Sequence, residues 1–175
     1  YGVSITKKRQ EFVAQVNETL SSVFQELTGR EDALELQYEP ALRSWDKGEG
    51  SVLHEIESSL ERERQYGHAL VGPHRDDYRM LLGERRDREF FSQGEYRITY
   101  LSLKLCINSV LIKKTGNHPV IILDDLFSEL DQRIVNHTIS TLEKMENQVF
   151  ITSTTLPQGG AVYGEKIQII QGRIV

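Results

Sequence analysis

The N-terminal part of the chain carries the pattern of an amphipathic helix followed by a strand. Between residues 10 and 27 apolar side chains recur at steps of three and four, which places them on one face of a helix. Gly29 is positioned to end that helix. Residues 34–38 alternate between apolar and polar side chains, as a half-buried strand does, and Pro40 ends the alternation. The pattern therefore predicts one helix with a buried stripe and one strand.

A second helix is predicted after a polar, glycine-containing loop at residues 44–51. It runs from residue 51 to residue 66, and Gly67 is its expected stop. Its inward stripe is expected to consist of four side chains: Val52, Leu53, Ile56 and Leu60. Because the pattern changes after Gly67, we predict a mainly helical lobe over residues 1–67.

Short strands and one long helix are predicted next. Residues 69–71 and 78–82 are strand candidates, and residues 83–84 are expected to form a turn. A long helix with a continuous apolar side is expected from residue 94 to about residue 114.

The C-terminal part carries two strongly apolar runs separated by a helical pattern. Residues 119–123 are rich in β-branched side chains, which predicts a parallel strand covered on both faces, and residues 148–152 predict a second buried strand. The helix between them has an inner stripe of six side chains: Leu130, Ile134, Val135, Ile139, Leu142 and Met145. Strand, helix and strand in that order predict a right-handed crossover unit of the α/β class. Residues 166–175 are expected to close the chain as a hairpin that turns at residues 171–172.

Composition and charge narrow the function classes. No segment is long and apolar enough to span a bilayer, and the start of the chain has no secretory signal pattern, so we expect a cytoplasmic protein without membrane contact. The sequence has a single cysteine, Cys106, which excludes a disulfide framework and a cysteine metal site. Cys106 lies among apolar residues. The formal net charge of −5 argues against a chain that is basic all over, so any contact with DNA is expected to be local.

The strongest chemical signal is the pair of acids that follows the apolar run at residues 119–123. Asp124 and Asp125 stand at the C-terminal end of a predicted buried strand, where carboxylates are costly unless a positive group neutralises them. A magnesium ion with a phosphate chain would do so, with Asp124 holding the metal and Asp125 orienting or deprotonating the attacking water. The alternative is that the two acids only cap the segment that follows.

A second candidate site lies at the start of the long helix. Ser92 precedes the helix and Gly94 opens it. The start of a helix offers free backbone N–H groups and the positive end of a dipole to an anion. The simpler interpretation is a capping box between Ser92 and Glu95. The two interpretations are compatible, because a cap in the free protein can become a phosphate clamp in a dimer.

Three segments together resemble one family. They are V-G-P-H-R-D-D at residues 71–77, F-S-Q-G-E at residues 91–95, and the run at residues 120–131 in which the two acids are followed by L-F-S-E-L-D. In order and spacing from residue 70 to about residue 155 they resemble the RecF family of recombination-repair ATPases, which are of the ATP-binding-cassette (ABC) type, and weaker similarity extends to both ends. The resemblance implies the C-terminal half of an ABC-type (P-loop NTPase) head, with parallel strands and flanking helices, over residues 68–175, plus the helical subdomain.

The resemblance also implies roles for individual residues. Asp124 and Asp125 correspond to a Walker B motif, with Asp124 as the metal residue and Asp125 as the catalytic residue. The signature residues Ser92, Gln93, Gly94 and Glu95 would bind ATP across a subunit interface, and the D-loop residues Ser128 and Asp131 would also act there. Thr154 is the candidate for the switch position after the last buried strand.

At the level of the whole protein the resemblance implies ATP and Mg²⁺ as cofactors and a homodimer that closes on ATP. It further implies binding to double-stranded DNA and to junctions of single- and double-stranded DNA, and cooperation with RecR and RecO in loading a recombinase. The 175 residues contain no G-x-x-x-x-G-K-[ST] motif, so hydrolysis is expected only in a full-length protein and not in this chain alone.

Two other functions stay open. The helices at residues 10–27 and 51–66 would also suit a module that docks a partner protein without activity of its own, and another head of the SMC type is a further alternative. The roles of His74 and Arg75 are likewise open: Arg75 either contacts nucleotide or DNA, or holds a turn by pairing with Asp76 or Asp77.

Overall fold

A computed structural model describes residues 1–86, 91–125, 130–154 and 164–174. The chain divides into two compact units, Tyr1–Asn117 and His118–Val175. The division into residues 1–67 and 68–175 stays a prediction.

The first unit is built on helix α1, Gly2–Thr28, which ends at Gly29 in the left-handed conformation with φ 69°. This confirms the predicted helix and its stop, although the helix begins earlier than the apolar stripe does. Its buried stripe consists of Val13, Val16, Leu20, Phe24 and Leu27, all between 0% and 3% exposed. The stripe packs against strand β1, Leu34–Glu39, and supplies the core of the unit.

Strand β1 belongs to an antiparallel sheet of three strands in the order β1-β2-β3, with β2 at Asp77–Leu82 and β3 at Arg85–Arg86. Leu34 pairs with Leu82 and Leu36 pairs with Met80, and these four side chains are buried. Two polar side chains of α1 cover the outer edge of β1: Asn17 exchanges hydrogen bonds of 2.9 Å with the Leu36 backbone, and Ser21 bonds both backbone groups of Leu34. An edge strand paired in this way offers fewer free backbone groups to other chains.

Helix α2, Glu49–Tyr66, has the predicted stop at Gly67, but its predicted inward stripe is wrong. Leu53 is 51% exposed, Ile56 39% and Leu60 43%, while the small polar Ser59 is buried. The spacing of apolar residues fixes which face of a helix is apolar, but not whether another element covers that face. In the described part of the chain, carboxylates rather than this stripe hold α2.

Two of these carboxylates join α2 to the backbone of the flanking segments. Glu55 accepts hydrogen bonds from the N–H groups of Arg43 and Ser44 and from the Ser44 hydroxyl. Burial alone would raise the pKa of Glu55, but these donors outweigh it and lower the pKa. Glu63 accepts hydrogen bonds from the N–H groups of Leu70 and Val71. Residues 69–71 do not form the predicted strand, because these two N–H groups bond to a carboxylate and not to a neighbouring strand.

The long helix is confirmed as α3, Gln93–Thr115, which packs along α1. Its buried positions are Ile98, Thr99, Leu101, Ser102, Leu105, Cys106, Asn108 and Val110. Thr19 of α1 donates to the Cys106 sulfur at 3.6 Å, and burial raises the pKa of this thiol. Cys106 therefore acts as a small packing residue between the two helices, as its apolar neighbours in the sequence indicate.

The second unit contains the predicted strand–helix–strand arrangement. Strand β4, Ile121–Leu123, is parallel to β5, Val149–Ile151, and helix α4, Gln132–Glu143, connects them. The buried side of α4 consists of Val135, Thr138, Ile139 and Leu142. A hairpin of β6, Ile169–Ile170, and β7, Arg173–Ile174, turns at two residues with positive φ, as predicted.

The expectation that β4 is covered on both faces is wrong for the described residues. Ile122 is 71% exposed, and its partner in the register, Phe150, is 50% exposed. An apolar run specifies a strand that can be covered on both faces, but the covering layer has to come from other residues.

Among the helices that the structure describes, none is long and apolar enough to cross a membrane.

Candidate functional site

The two acids lie where strand β4 ends. β4 stops at Leu123; Asp124 is exposed and Asp125 is partly buried. The Asp125 backbone has φ 47°, in the left-handed region that residues other than glycine seldom adopt and that Asp tolerates better than most. The chain therefore turns sharply between the two carboxylates, at the carboxyl end of a parallel pair.

Thr152 joins these acids to the neighbouring strand. It follows β5, and its N–H donates to the Leu123 carbonyl at 3.0 Å. The Thr152 hydroxyl accepts a hydrogen bond of 2.9 Å from the Asp125 N–H and donates one of 2.5 Å to Oδ1 of Asp124. Sequence reasoning missed Thr152. The signal in the sequence is its position: Thr152 is a hydroxyl residue at the end of the second apolar run, and the first run ends in the two acids.

The donor set at this strand end fits a magnesium nucleotide better than a metal held by protein alone. Among the described residues no group of three or more His, Cys, Asp or Glu side chains could hold a metal ion. Magnesium is usually held by one or two carboxylates, with phosphate oxygens and waters completing its shell. Asp124 with its exposed carboxylate, and Asp125 beside it, match that requirement.

The signature segment forms the capping box that its sequence indicates. The Ser92 hydroxyl accepts from the Glu95 N–H at 3.2 Å, and the Glu95 carboxylate accepts from the Ser92 N–H at 3.1 Å. Gln93 begins α3, and Gly94 is partly buried. The structure thus brings the four predicted signature residues together at one helix start, in the first unit.

Arg30 holds the signature glutamate in place. Its Nη1 lies 2.9 Å from Oε1 of Glu95, and its Nε lies 2.8 Å from Oδ2 of Asp32. The hydrogen bonds to Asp32 and then to Glu95 raise the pKa of Arg30. No sequence pattern pointed to this residue, which stands one position after the helix stop at Gly29 and far from Glu95 along the chain.

The remaining predicted site residues are distributed over the second unit. Asp131 is the N-cap of α4, where its side chain accepts from the Ile134 N–H at 2.9 Å. Thr154 is exposed in the segment after β5. Ser128 lies outside the described residues. The structure therefore brings Asp124 and Asp125 together with Thr152, while Asp131 has a local capping contact.

Asp76 pairs with a distant arginine instead of with its neighbour Arg75. Its side chain is 1% exposed and lies 2.5 Å from Nη1 of Arg9 in α1. It also accepts hydrogen bonds from the Tyr38 hydroxyl and the Ala41 N–H. The hydrogen bond from Arg9 to Asp76 raises the pKa of Arg9. Burial, and then the hydrogen bond that Tyr38 itself makes to Asp76, raise the pKa of Tyr38. This cluster joins α1, β1 and the segment before β2.

His74 and Arg75 lie in a short 3₁₀ turn, Pro73–Arg75, and both are exposed. Arg75 Nε donates to the carbonyl of Ala69 at 3.1 Å, and the His74 ring contacts the same carbonyl at 3.2 Å. Arg9 also donates to the Pro73 carbonyl. The turn is therefore fixed from both sides, and the role of its two exposed basic residues stays open.

Relatives with known names support the family resemblance. The chain is 35% identical over 160 residues to the DNA replication and repair protein RecF of Geotalea uraniireducens, an alignment that covers 89% of the chain and 44% of that relative. It is 32% identical over 161 residues to RecF of Staphylococcus carnosus, with 89% and 43% covered. No family model matches the chain. The chain thus spans less than half the length of these curated relatives.

Solved structures support the fold. A structure of the recombination mediator protein RecF with ATPrS in the RecFOR pathway matches with a TM-score of 0.75 and 25% identity, over 99% of the chain and 47% of that protein. The RecF–ATP structure of the same pathway matches with a TM-score of 0.71 and 28% identity, over 89% of the chain and 42% of that protein. An SMC ATPase structure matches in fold alone, with a TM-score of 0.56, 14% identity, and 97% and 88% covered. These likenesses confirm the predicted α/β class and the resemblance to RecF.

Proposed function

We propose that this chain, which is similar to the C-terminal part of RecF in sequence and fold, supplies the Walker B acids and the signature segment of an ATP site in DNA recombination and repair. The observation that carries the proposal is the fixed pair of acids at the end of β4. The Thr152 hydroxyl donates to the Asp124 carboxylate and accepts from the Asp125 backbone N–H, so the Asp124 carboxylate and the turn at Asp125 are oriented before any ligand binds. Sites that act on phosphates gain from such prior orientation.

Each acid has one role in this site. Asp124 holds the Mg²⁺ ion of the nucleotide, directly or through a water, with its exposed carboxylate. Bound magnesium neutralises charge on the phosphates. Asp125, which is partly buried at the turn after β4, orients or deprotonates the attacking water.

The signature segment acts on the nucleotide of a second subunit. Ser92, Gln93, Gly94 and Glu95 stand at the N-terminus of α3, where backbone N–H groups and the helix dipole favour a phosphate. Contact with the γ-phosphate replaces part of the capping box in the closed homodimer. Ser128 and Asp131 serve the same interface as the D-loop, and Thr154 senses the phosphate from the switch position.

The biological setting follows from the resemblance to RecF. In the cytoplasm the natural full-length protein binds double-stranded DNA and junctions of single- and double-stranded DNA, and it helps to load the recombinase together with RecR and RecO. ATP with Mg²⁺ closes the homodimer, and hydrolysis opens it. This chain alone contains no P-loop motif and is therefore not expected to hydrolyse ATP.

One observation favours a second candidate function. Helix α2 exposes the apolar side chains of Leu53, Ile56 and Leu60, a face that a protein partner could cover. A module that docks a partner without ATP turnover would use this face. A head of the SMC type is the other alternative, and the shared fold with an SMC ATPase supports it.

Complementation discriminates between these functions. The purified chain would be mixed with the P-loop half of a RecF relative, and ATP turnover would be followed with and without Mg²⁺. Turnover that appears only in the mixture, and that disappears with Asp125→Asn, supports the ATP site. Stable association of the halves without turnover supports the docking module.

A further inference from the structure

Thr152, at the end of β5, belongs to none of the ATP-binding motifs of the proposed site. Thr152 is exposed, yet its hydroxyl makes two hydrogen bonds to residues 27 and 28 positions earlier in the chain. A threonine hydroxyl has a single donor and accepts through its lone pairs. At Thr152 the donor goes to the Asp124 carboxylate and a lone pair receives the Asp125 N–H.

We propose that Thr152 is the positioning residue of the acid pair, an inference that rests on the proposed ATP site. It acts through Asp124 and Asp125 and does not itself contact the reacting atoms. One hydroxyl contacts both residues at once, the carboxylate of Asp124 and the backbone N–H of Asp125.

The backbone turn at Asp125 depends on this hydroxyl. The Asp125 backbone is in the left-handed region with φ 47°, which is strained for a residue with a Cβ. Such a conformation persists only where surrounding contacts hold it. The hydrogen bond from the Asp125 N–H to the Thr152 hydroxyl is one such contact, and it joins the turn to the end of β5. The Thr152 N–H in turn donates to the Leu123 carbonyl at the end of β4.

The orientation of the Asp124 carboxylate depends on the same hydroxyl. This carboxylate is exposed, so without a partner it would rotate among several rotamers. Donation from Thr152 to Oδ1 fixes the carboxylate plane, and the remaining lone pairs are then held in one orientation for a cation. Hydrogen-bond partners of this kind commonly change metal affinity by one to two orders of magnitude without binding the metal themselves.

A pair of substitutions separates the hydroxyl from the rest of the side chain. Thr152→Val removes both hydrogen bonds and keeps the shape, while Thr152→Ser keeps the hydroxyl. Thr115→Val is the matched control in the other compact unit, because the Thr115 hydroxyl likewise makes two hydrogen bonds: it donates to the Leu111 carbonyl and accepts from the Asn117 N–H. All variants are made in the natural full-length protein.

The first readout needs no nucleotide. Hydrogen exchange of the Asp125 amide, followed by mass spectrometry, should become about three- to tenfold faster in Thr152→Val, as expected for loss of one hydrogen bond. It should return towards the wild-type rate in Thr152→Ser and stay unchanged in Thr115→Val. An unchanged rate in Thr152→Val would overturn the inference whatever the protein does with ATP.

The second readout is the affinity for Mn²⁺ in the presence of ATP, measured by electron paramagnetic resonance. Thr152→Val should raise the half-saturating Mn²⁺ concentration about ten- to hundredfold, and Thr152→Ser should restore it. Equal Mn²⁺ affinity in wild type and Thr152→Val overturns the role of Thr152 while leaving the ATP site in place. Absence of Mn²⁺–ATP binding in the wild type overturns the proposed function instead.

Discussion

The two compact units bury their apolar residues to different extents. In the first unit α1 packs against both β1 and α3, and five of its apolar side chains are almost fully buried. In the second unit α4 buries four side chains, but Ile122 and Phe150 of the parallel pair β4–β5 remain half or more exposed. The first unit therefore holds the larger share of folding free energy, while the acids of the proposed site lie in the unit with the smaller described core.

Truncating one phenylalanine in each unit tests this difference most strongly. Phe24→Ala removes a fully buried ring and should lower the free energy of unfolding by about 3–5 kcal/mol. Phe150→Ala removes a half-exposed ring and should cost about 1 kcal/mol or less. Urea unfolding of the 175-residue chain, followed by circular dichroism, measures both. Equal costs would show that the open face of β4–β5 is covered in solution.

Asp76 and Asp124 allow a comparison of the free energy of unfolding that is lost when a structural carboxylate or a site carboxylate is removed. Asp76→Ala leaves Arg9, Tyr38 and the Ala41 N–H without their shared acceptor and should cost about 2 kcal/mol. Asp124→Ala removes an exposed carboxylate and should change the free energy of unfolding by about 0.5 kcal/mol or less. The same urea titration reports both values. If Asp124→Ala is the more destabilising change, the assignment of Asp124 to function loses its support.

Most of the secondary structure could be predicted because its signals are local. The stripe of α1 and the stop at Gly29 lie within one helix, and Ser92 and Glu95 lie three residues apart, so the cap could be derived from the sequence. Tertiary coverage is not local. The exposed stripe of α2 and the exposed Ile122 were mispredicted because apolar spacing does not name the element that covers it.

The candidate site was predictable to the same extent. The run that ends in Asp124 and Asp125 is continuous in sequence, so the sequence alone predicts the acid pair. The contacts that orient it are long-range: Thr152 reaches Asp124 across the β4–β5 register, and Arg30 reaches Glu95 from another element. Side chains that act across such separations carry no periodic signal, so only the fold reveals them.

The cap of α3 provides a smaller test that links the first unit to the proposed dimer. Ser92→Arg removes the hydroxyl acceptor and should cost about 1 kcal/mol of stability. In the natural full-length protein its bulk and charge should also block ATP-dependent dimerisation, measured by light scattering. Ser92→Thr keeps a capping hydroxyl and should dimerise normally. Dimerisation of Ser92→Arg at the wild-type level would count against the signature assignment.

The smallest expected effect concerns the carboxylate ties of α2. Because the folded-state pKa of Glu55 lies below its ordinary value of 4.5, its contribution to stability is complete above pH 4.5 and is lost as the pH falls below it. We expect the protection factors of the α2 amides, which are exchange rates corrected for the intrinsic pH dependence, to fall below pH 4.5 before those of α1 and α3. Glu55→Gln should show the lower protection factors already at neutral pH. Protection factors in α2 that are the same in both proteins and at every pH would rule out this tie.

ATP-dependent dimerisation of Asp125→Asn in the natural full-length protein tests the central claim most directly. Light scattering and ATP turnover would be measured on the same samples with Mg²⁺. We predict that the variant binds ATP and forms a dimer that stays closed, with turnover reduced on the order of 100-fold, as for loss of a general base. Ordinary turnover in Asp125→Asn, or no dimer with either protein, would contradict the account.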